Sequence, residues 1–195
     1  MRARYVLGVA VIGAGLLAGC APHTYAGTPL DPPKMLDDFE LQNASGGTVR
    51  LSDFRGKLTL LYFGYTFCPD FCPATMAEVS RAVALLGEDA AQVQMIMITV
   101  DPERDTAEQL GRYVTNFNPT FIGARTDDPA VLDAVLSDFG AYYVIEPAET
   151  SAAGYLVTHT VALFLVDQES QLRVVYSFGI EPEDLAADLH YLLKQ

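Results

Sequence analysis

Leu61-Tyr62-Phe63-Gly64-Tyr65-Thr66-Phe67-Cys68-Pro69-Asp70-Phe71-Cys72-Pro73 is the stretch on which the reading of the fold turns. An apolar strand runs into a short loop carrying two cysteines four residues apart, and Pro73 reads as the opening of a helix. Proline suits the first helical position, because its missing N–H has no intrahelical partner there. The residue before a proline is pushed out of the α region. Cys72 is therefore expected at or just before the helix N-terminus, where aligned peptide dipoles favour thiolate over thiol. Two thiols so placed do redox chemistry, bind a soft metal, or both. The competing reading is a structural disulfide or two inert core thiols, and the flanking prolines and helix start argue against it. Side chains four apart share a helix face. One turn of rise sets their Cα atoms about 6 Å apart, within the span of a disulfide, and lets both sulfurs reach one metal.

Outward from this stretch, residues 57–64 form a nearly continuous apolar strand, suited to a central place covered on both faces. Before it, residues 39–42 and 48–51 flank Ser45-Gly46-Gly47 and read as a hairpin. After it, Met76, Val79, Val83 and Leu86 recur at helical spacing, and Gly87 stops that helix. Residues 93–100 form a second buried strand. Thr106 and Gln109 make a capping box for a helix to about Phe117. A short strand is expected over 120–123, a helix from Asp128-Pro129 to Gly140, a strand over 141–145 and a loop over 146–154. Residues 161–166 and 172–178 form a second hairpin, and Pro182 starts a final helix with Leu185, Leu189 and Leu192 or Leu193 inward. Early strands alternating with helices imply parallel pairing, and the closing hairpin adds antiparallel strands. The result is an α/β chain of thioredoxin-like architecture: a mixed central sheet flanked by helices, with an N-terminal β-hairpin extension. Sites in open α/β sheets lie at the carboxyl ends of strands, where the cysteine loop falls.

The N-terminus explains the third cysteine. Arg2 and Arg4 precede an uncharged, mostly apolar run from Tyr5 to Leu17, about as long as a signal-peptide core and short for a membrane span. It ends in Leu17-Ala18-Gly19-Cys20, which resembles the lipobox of bacterial lipoproteins. That resemblance implies a signal peptide over 1–19, cleavage before Cys20 and acylation of its sulfur. It places the domain in the cell envelope, facing the periplasm or another extracytoplasmic side, where disulfides persist. Pro22, Gly27, Pro29, Pro32 and Pro33 make residues 20–34 read as a membrane tether, with His23 solvated and without a role. The domain is then expected over 35–195. The net charge of −13 argues against nucleic acid, whose phosphates call for clustered Lys and Arg.

Three histidines complete the candidate donors. His190 lies near the end of the last helix and reads as an exposed residue. His159, in Tyr155-Leu156-Val157-Thr158-His159-Thr160, stands at the entrance to the strand over 161–166. Alone it reads as a satisfied polar residue; were that strand parallel to the first core strand and beside it, His159 would approach the cysteine loop.

Gly64-Tyr65-Thr66-Phe67-Cys68-Pro69-Asp70-Phe71-Cys72-Pro73 resembles the signature of the Sco/SenC family of copper chaperones for cytochrome c oxidase assembly. Val100-Asp101-Pro102-Glu103-Arg104-Asp105-Thr106 and Val157-Thr158-His159-Thr160 resemble that family's second and third blocks. The resemblance implies that Cys68, Cys72 and His159 bind one copper ion, Cu(I) or Cu(II). It further implies delivery to the oxidase subunit carrying the copper A site, with another periplasmic copper carrier or a thiol reductant as further partners. Thr158 departs from the aspartate many members carry there, which bears on how the imidazole is oriented. Independently, two thiolates and an imidazole suit Cu(I) and also hold Cu(II); structural zinc wants a fourth ligand, and no further Cys or His lies nearby in sequence. Asp70, Asp101 and Asp105 read as turn and cap residues before partner docking. The alternative function is a thiol–disulfide oxidoreductase, Cys68 and Cys72 being its redox pair, that keeps the oxidase copper-site cysteines reduced. Against it, such reductants use Cys-x-x-Cys, and His159 has no required part in dithiol exchange. A peroxidase reading fails because Thr66 stands two residues before Cys68 rather than three.

Overall fold

In the computed structural model, residues 23–147 and 154–195 are described. The expected leader over 1–19, Cys20, and residues 148–153 of the expected loop lie outside them. In chain order the elements are β1 (Thr28–Met35), β2 (Glu40–Asn43), β3 (Thr48–Arg50), β4 (Leu58–Gly64), α1 (Phe71–Leu85), β5 (Val93–Thr99), α2 (Ala107–Phe117) and β6 (Ile122–Arg125). There follow α3 (Pro129–Phe139), β7 (Tyr143–Pro147), β8 (Tyr155–His159), β9 (Ala162–Val166), β10 (Gln171–Ser177) and α4 (Pro182–Leu192). The main sheet has the order β1-β10-β9-β4-β5-β6-β2-β3, and β7 with β8 forms a separate ribbon.

β4 is buried at every residue because it is sandwiched in both directions. In the sheet it pairs in parallel with β5 and antiparallel with β9. Across the sheet, alternation sends Tyr62 and Gly64 towards α1 and Phe63 towards α3, where it meets the rings of Phe139 and Phe164 at 5.6 and 5.8 Å. Each such fully buried side chain contributes about 1.5–3 kcal/mol, so an unbroken apolar run is best placed at the centre. α1 packs against α4, and β6 runs parallel to β5 beneath α2. The expected hairpin is present as β2 and β3, joined to the main sheet through β2 and β6. Asp128 caps α3 by accepting from Ala130 N, and Gly140 ends it in the left-handed conformation that glycine adopts without strain.

Three expectations are corrected. The stretch read as a tether is partly sheet: Thr28–Met35 pairs antiparallel with β10. Prolines bar a central strand but not an edge strand, whose outer N–H groups have no ladder partner. His23 is not idle. Its Nε2 lies 2.7 Å from Asp188 Oδ1, and its ring stacks on Tyr191 at 4.1 Å. Ala26 N and Tyr176 OH donate to the other oxygen of the buried Asp188, each at 3.0 Å. The segment is thereby fastened to α4 and β10. Finally, the strand expected over 141–145 is present as β7 but runs two residues into the expected loop, and it pairs with β8 outside the main sheet.

Candidate metal centre

α1 begins at Phe71, two residues before the expected start. Pro73 remains within the first turn, where its missing N–H is equally harmless; the first intrahelical bond is Ala74 N to Asp70 O at 3.3 Å. Cys72 is therefore inside the helix and wholly buried. Asp70 stands at the cap position but makes no side-chain cap bond. The Cys68 sulfur lies beside this helix start, and the backbone N–H groups of Cys72 and Asp70 favour its charged form. The neighbouring Cys72 thiol foremost holds the Cys68 thiol well below its ordinary value, against the opposing effect of burial. His159 and the two backbone donors add to the lowering. The same pairing, and then burial, push the Cys72 thiol up. The helix terminus thus favours a thiolate at Cys68, not at Cys72 as the sequence suggested.

His159 ends β8, a strand the sequence reading did not assign, just before the expected strand that is β9. β9 does lie beside β4, but antiparallel, with Tyr62 opposite Leu163. That direction is what brings the start of β9, and His159 just before it, to the carboxyl end of β4; a parallel strand would have begun at the other end. His159 Nδ1 lies 3.0 Å from the Thr160 carbonyl oxygen. An N–H donated there leaves Nε2 facing the sulfurs, 3.6 Å from Cys72 Sγ. Main chain therefore orients the imidazole, and Thr158 is exposed beside it. The rings of Tyr62 and Tyr65 meet His159 edge to face at 6.0 and 5.7 Å. The Cys68, Cys72 and His159 ligand atoms all lie within 4.8 Å of one another, and all three residues are buried. Gly64 makes room for this. A Cβ there would stand 3.0 Å from Cys72 Sγ and 2.7 Å from Tyr62 Cε1.

Two buried carboxylates hold the surrounding loops, which settles Asp101 and Asp105 as structural. Asp105 accepts from Thr66 N at 3.0 Å, Thr66 Oγ1 at 2.6 Å and Thr99 Oγ1 at 2.6 Å. This ties the root of the cysteine loop to β5. Burial still raises the Asp105 carboxyl above its ordinary value. Thr106 caps α2 by accepting from Gln109 N, as expected, but the Gln109 side chain donates to Thr66 Oγ1 instead of closing the box. Asp101 accepts from Arg104 Nε at 2.5 Å and Tyr155 OH at 2.6 Å. Arg104 lies over the Tyr155 ring at 3.7 Å and over Phe67 at 5.2 Å. One guanidinium thus clasps the ribbon carrying His159 to the loop carrying Cys68. Asp70 is exposed at the helix start, and His190 lies 3.3 Å from Asp89. Sequence reasoning missed the supporting roles of Tyr62, Gly64 and Tyr155, whose only signal was their nearness in sequence to the donors.

Two sulfurs and an imidazole converging on one point form a soft-to-borderline donor set that fits copper, and the incomplete shell leaves a position for exchange. The same two sulfurs, both free thiols here, can join as a disulfide.

The family model described as SCO1/SenC matches residues 27–194. The SCO2-like protein RP587 of Rickettsia prowazekii is 30% identical over 155 residues, spanning 80% of this chain and 75% of that protein. Among solved structures, Bradyrhizobium japonicum ScoI with copper bound is 34% identical, covering 82% of this chain and 99% of that one, with a TM-score of 0.73. The solution structure of apo Sco1 protein from Thermus thermophilus is 39% identical, covering 89% and 99%, with a TM-score of 0.78. The fold is thus thioredoxin-like and shared with these proteins.

Proposed function

Since the chain belongs to the SCO1/SenC family, we propose that it is a copper carrier that binds one ion through Cys68, Cys72 and His159 and delivers it to the copper A centre of cytochrome c oxidase during assembly. The observation that carries this reading is the convergence of three buried donor atoms within 4.8 Å. A relative 34% identical whose structure holds copper supports it. Copper here is cargo, so the incomplete ligand set is an asset: a fully enclosed ion would leave slowly. The recipient rests on the sequence resemblance.

The second reading, a thiol–disulfide oxidoreductase that keeps the recipient's cysteines reduced, is favoured by one observation. The Cys68 and Cys72 sulfurs lie within 4.8 Å of one another, and the Cys68 thiol is shifted well below its ordinary value, which suits an attacking dithiol. The two readings part at His159, which dithiol exchange does not need. Oxidase assembly in cells carrying His159→Ala decides between them. Loss of copper A assembly is expected, and normal assembly beside defective cysteine variants would leave the reductase.

The proposal includes a signal peptide over 1–19 and a lipid anchor on Cys20 that holds the protein to a membrane on its extracytoplasmic side. No helix among the described residues is long and apolar enough to cross a membrane. Mass spectrometry of the mature protein should find an acylated Cys20 at its N-terminus; an unmodified Cys20 would refute the anchor.

A further inference from the structure

Tyr62 lies in the middle of β4 with no exposed surface, opposite Leu163 on one side and Met97 on the other. Phenylalanine would fill such a place, as Phe63 does on the opposite face. A hydroxyl buried there costs free energy unless it is hydrogen-bonded. The partner is the Cys72 sulfur, at 3.6 Å, and the ring stands edge-on to His159. Tyr62 therefore touches both a cysteine and the histidine without offering a ligand of its own.

We propose that Tyr62 is a positioning residue that favours the reduced, copper-competent dithiol over the disulfide by donating its hydroxyl hydrogen to the Cys72 sulfur. This rests on the reading of Cys68 and Cys72 as a reversible redox pair that carries copper when reduced. The reduced pair shares a negative charge between two sulfurs within 4.8 Å of one another, so its Cys72 sulfur holds more negative charge than a disulfide sulfur and accepts the stronger hydrogen bond. A contact that differs between two states shifts their equilibrium by that difference. The bond is strong while the pair is reduced and weak once it is oxidised, so Tyr62 holds the pair reduced. In the copper-loaded state the same donor draws charge from the Cys72 sulfur and lowers the energy of its lone pair.

Exchange with glutathione measures the balance. Protein dithiol and glutathione disulfide give protein disulfide and two molecules of glutathione. The sulfur–sulfur bond of glutathione disulfide breaks, and the Cys68–Cys72 bond forms. Two electrons pass from the protein sulfurs to glutathione; the Cys72 proton ends on one glutathione, and the other, released as thiolate, takes its proton from water. Tyr62 keeps its proton throughout.

The test equilibrates the purified copper-free protein and its Tyr62→Phe variant across glutathione redox mixtures, with thiols trapped by alkylation. The variant should favour the disulfide about tenfold more, which for a two-electron couple is about 30 mV towards more negative potential. Loaded with Cu(II), it should also show its sulfur-to-copper charge-transfer band at longer wavelength. A tyrosine needed only for packing would lower the melting temperature equally in both redox states and move neither readout. Superimposable glutathione curves for the two proteins would overturn the proposal. Should the variant fail to fold, wild-type protein labelled with ¹³C at tyrosine Cζ reads the same bond. One buried resonance should shift on oxidation, and no shift would be equally fatal. Failure of the wild type to bind copper would instead strike the carrier reading, since the glutathione equilibrium needs no metal.

Discussion

The Cys68 thiol is lowered by Cys72 and by the backbone N–H groups at the mouth of α1, whereas Cys72 lies wholly inside the core. The reduced pair should therefore react unequally. Cys68 is expected to be alkylated first. A thiol lowered in this way stays ionised as the pH falls below the ordinary value of about 8.5, so its alkylation rate should hold nearly constant from pH 8.5 down to pH 6. An ordinary thiol would slow about tenfold per pH unit over that window. Mass mapping of the modified cysteine across pH checks this, and a steep loss at Cys68 would contradict it. The spacing of the pair was legible in sequence, the helix start to within two residues, and His159 as a third donor only through the family resemblance. Which sulfur bears the charge was not. It depends on α1 starting at Phe71, which takes Cys72 into the helix and leaves Cys68 just before it, and a two-residue boundary shift lies within the ordinary scatter of helix ends. Thr158 misled in a simpler way: it is exposed, and the Thr160 carbonyl orients the imidazole instead.

Three elements bring the donors together: β4 feeds the cysteine loop, α1 holds Cys72, and the β7–β8 ribbon ends in His159. β4 and the helices were readable because apolar runs, proline starts and glycine stops are local signals. Of the ribbon only β7 was read; β8, Tyr155-Leu156-Val157-Thr158-His159, alternates in burial but not in residue polarity, since the apolar Leu156 is exposed and His159 is buried. β1 was hidden by its prolines, which exclude a central strand but suit an edge. The direction of β9 was also beyond reach, since strand pairing is set across the sheet and not along the chain. The buried ties between elements matter accordingly. Asp105→Ala would strand the Thr66 N–H and the Thr66 and Thr99 hydroxyls in the interior. A loss of about 3 kcal/mol is expected from unsatisfied buried donors, together with weakened copper binding because the root of the loop is released. Denaturant melts and copper competition check both effects. A loss under 1 kcal/mol with unchanged binding would show that the network is not what holds the loop.

Across the whole molecule, the sheet centre, the N-terminus of α1 and the ribbon meet at one end of β4, where open α/β sheets build their sites. The chain segment from His23 is fastened along α4 and β10, so the proposed anchor at Cys20 lies only three residues from a fixed point on the domain. The acidic balance of the chain argues against nucleic acid and against an electrostatic hold on an anionic bilayer, so the proposed membrane attachment rests on the lipid. The account as a whole stands on the three donors acting on one ion. Its most direct test is titration of the reduced protein with Cu(I) against a competing chelator, in the wild type and in Cys68→Ala, Cys72→Ala and His159→Ala. The account predicts one tightly held copper in the wild type, none in either cysteine variant, and one held more weakly in the histidine variant. Full-affinity binding that survives loss of either cysteine, or a wild type that binds no copper at all, would contradict it.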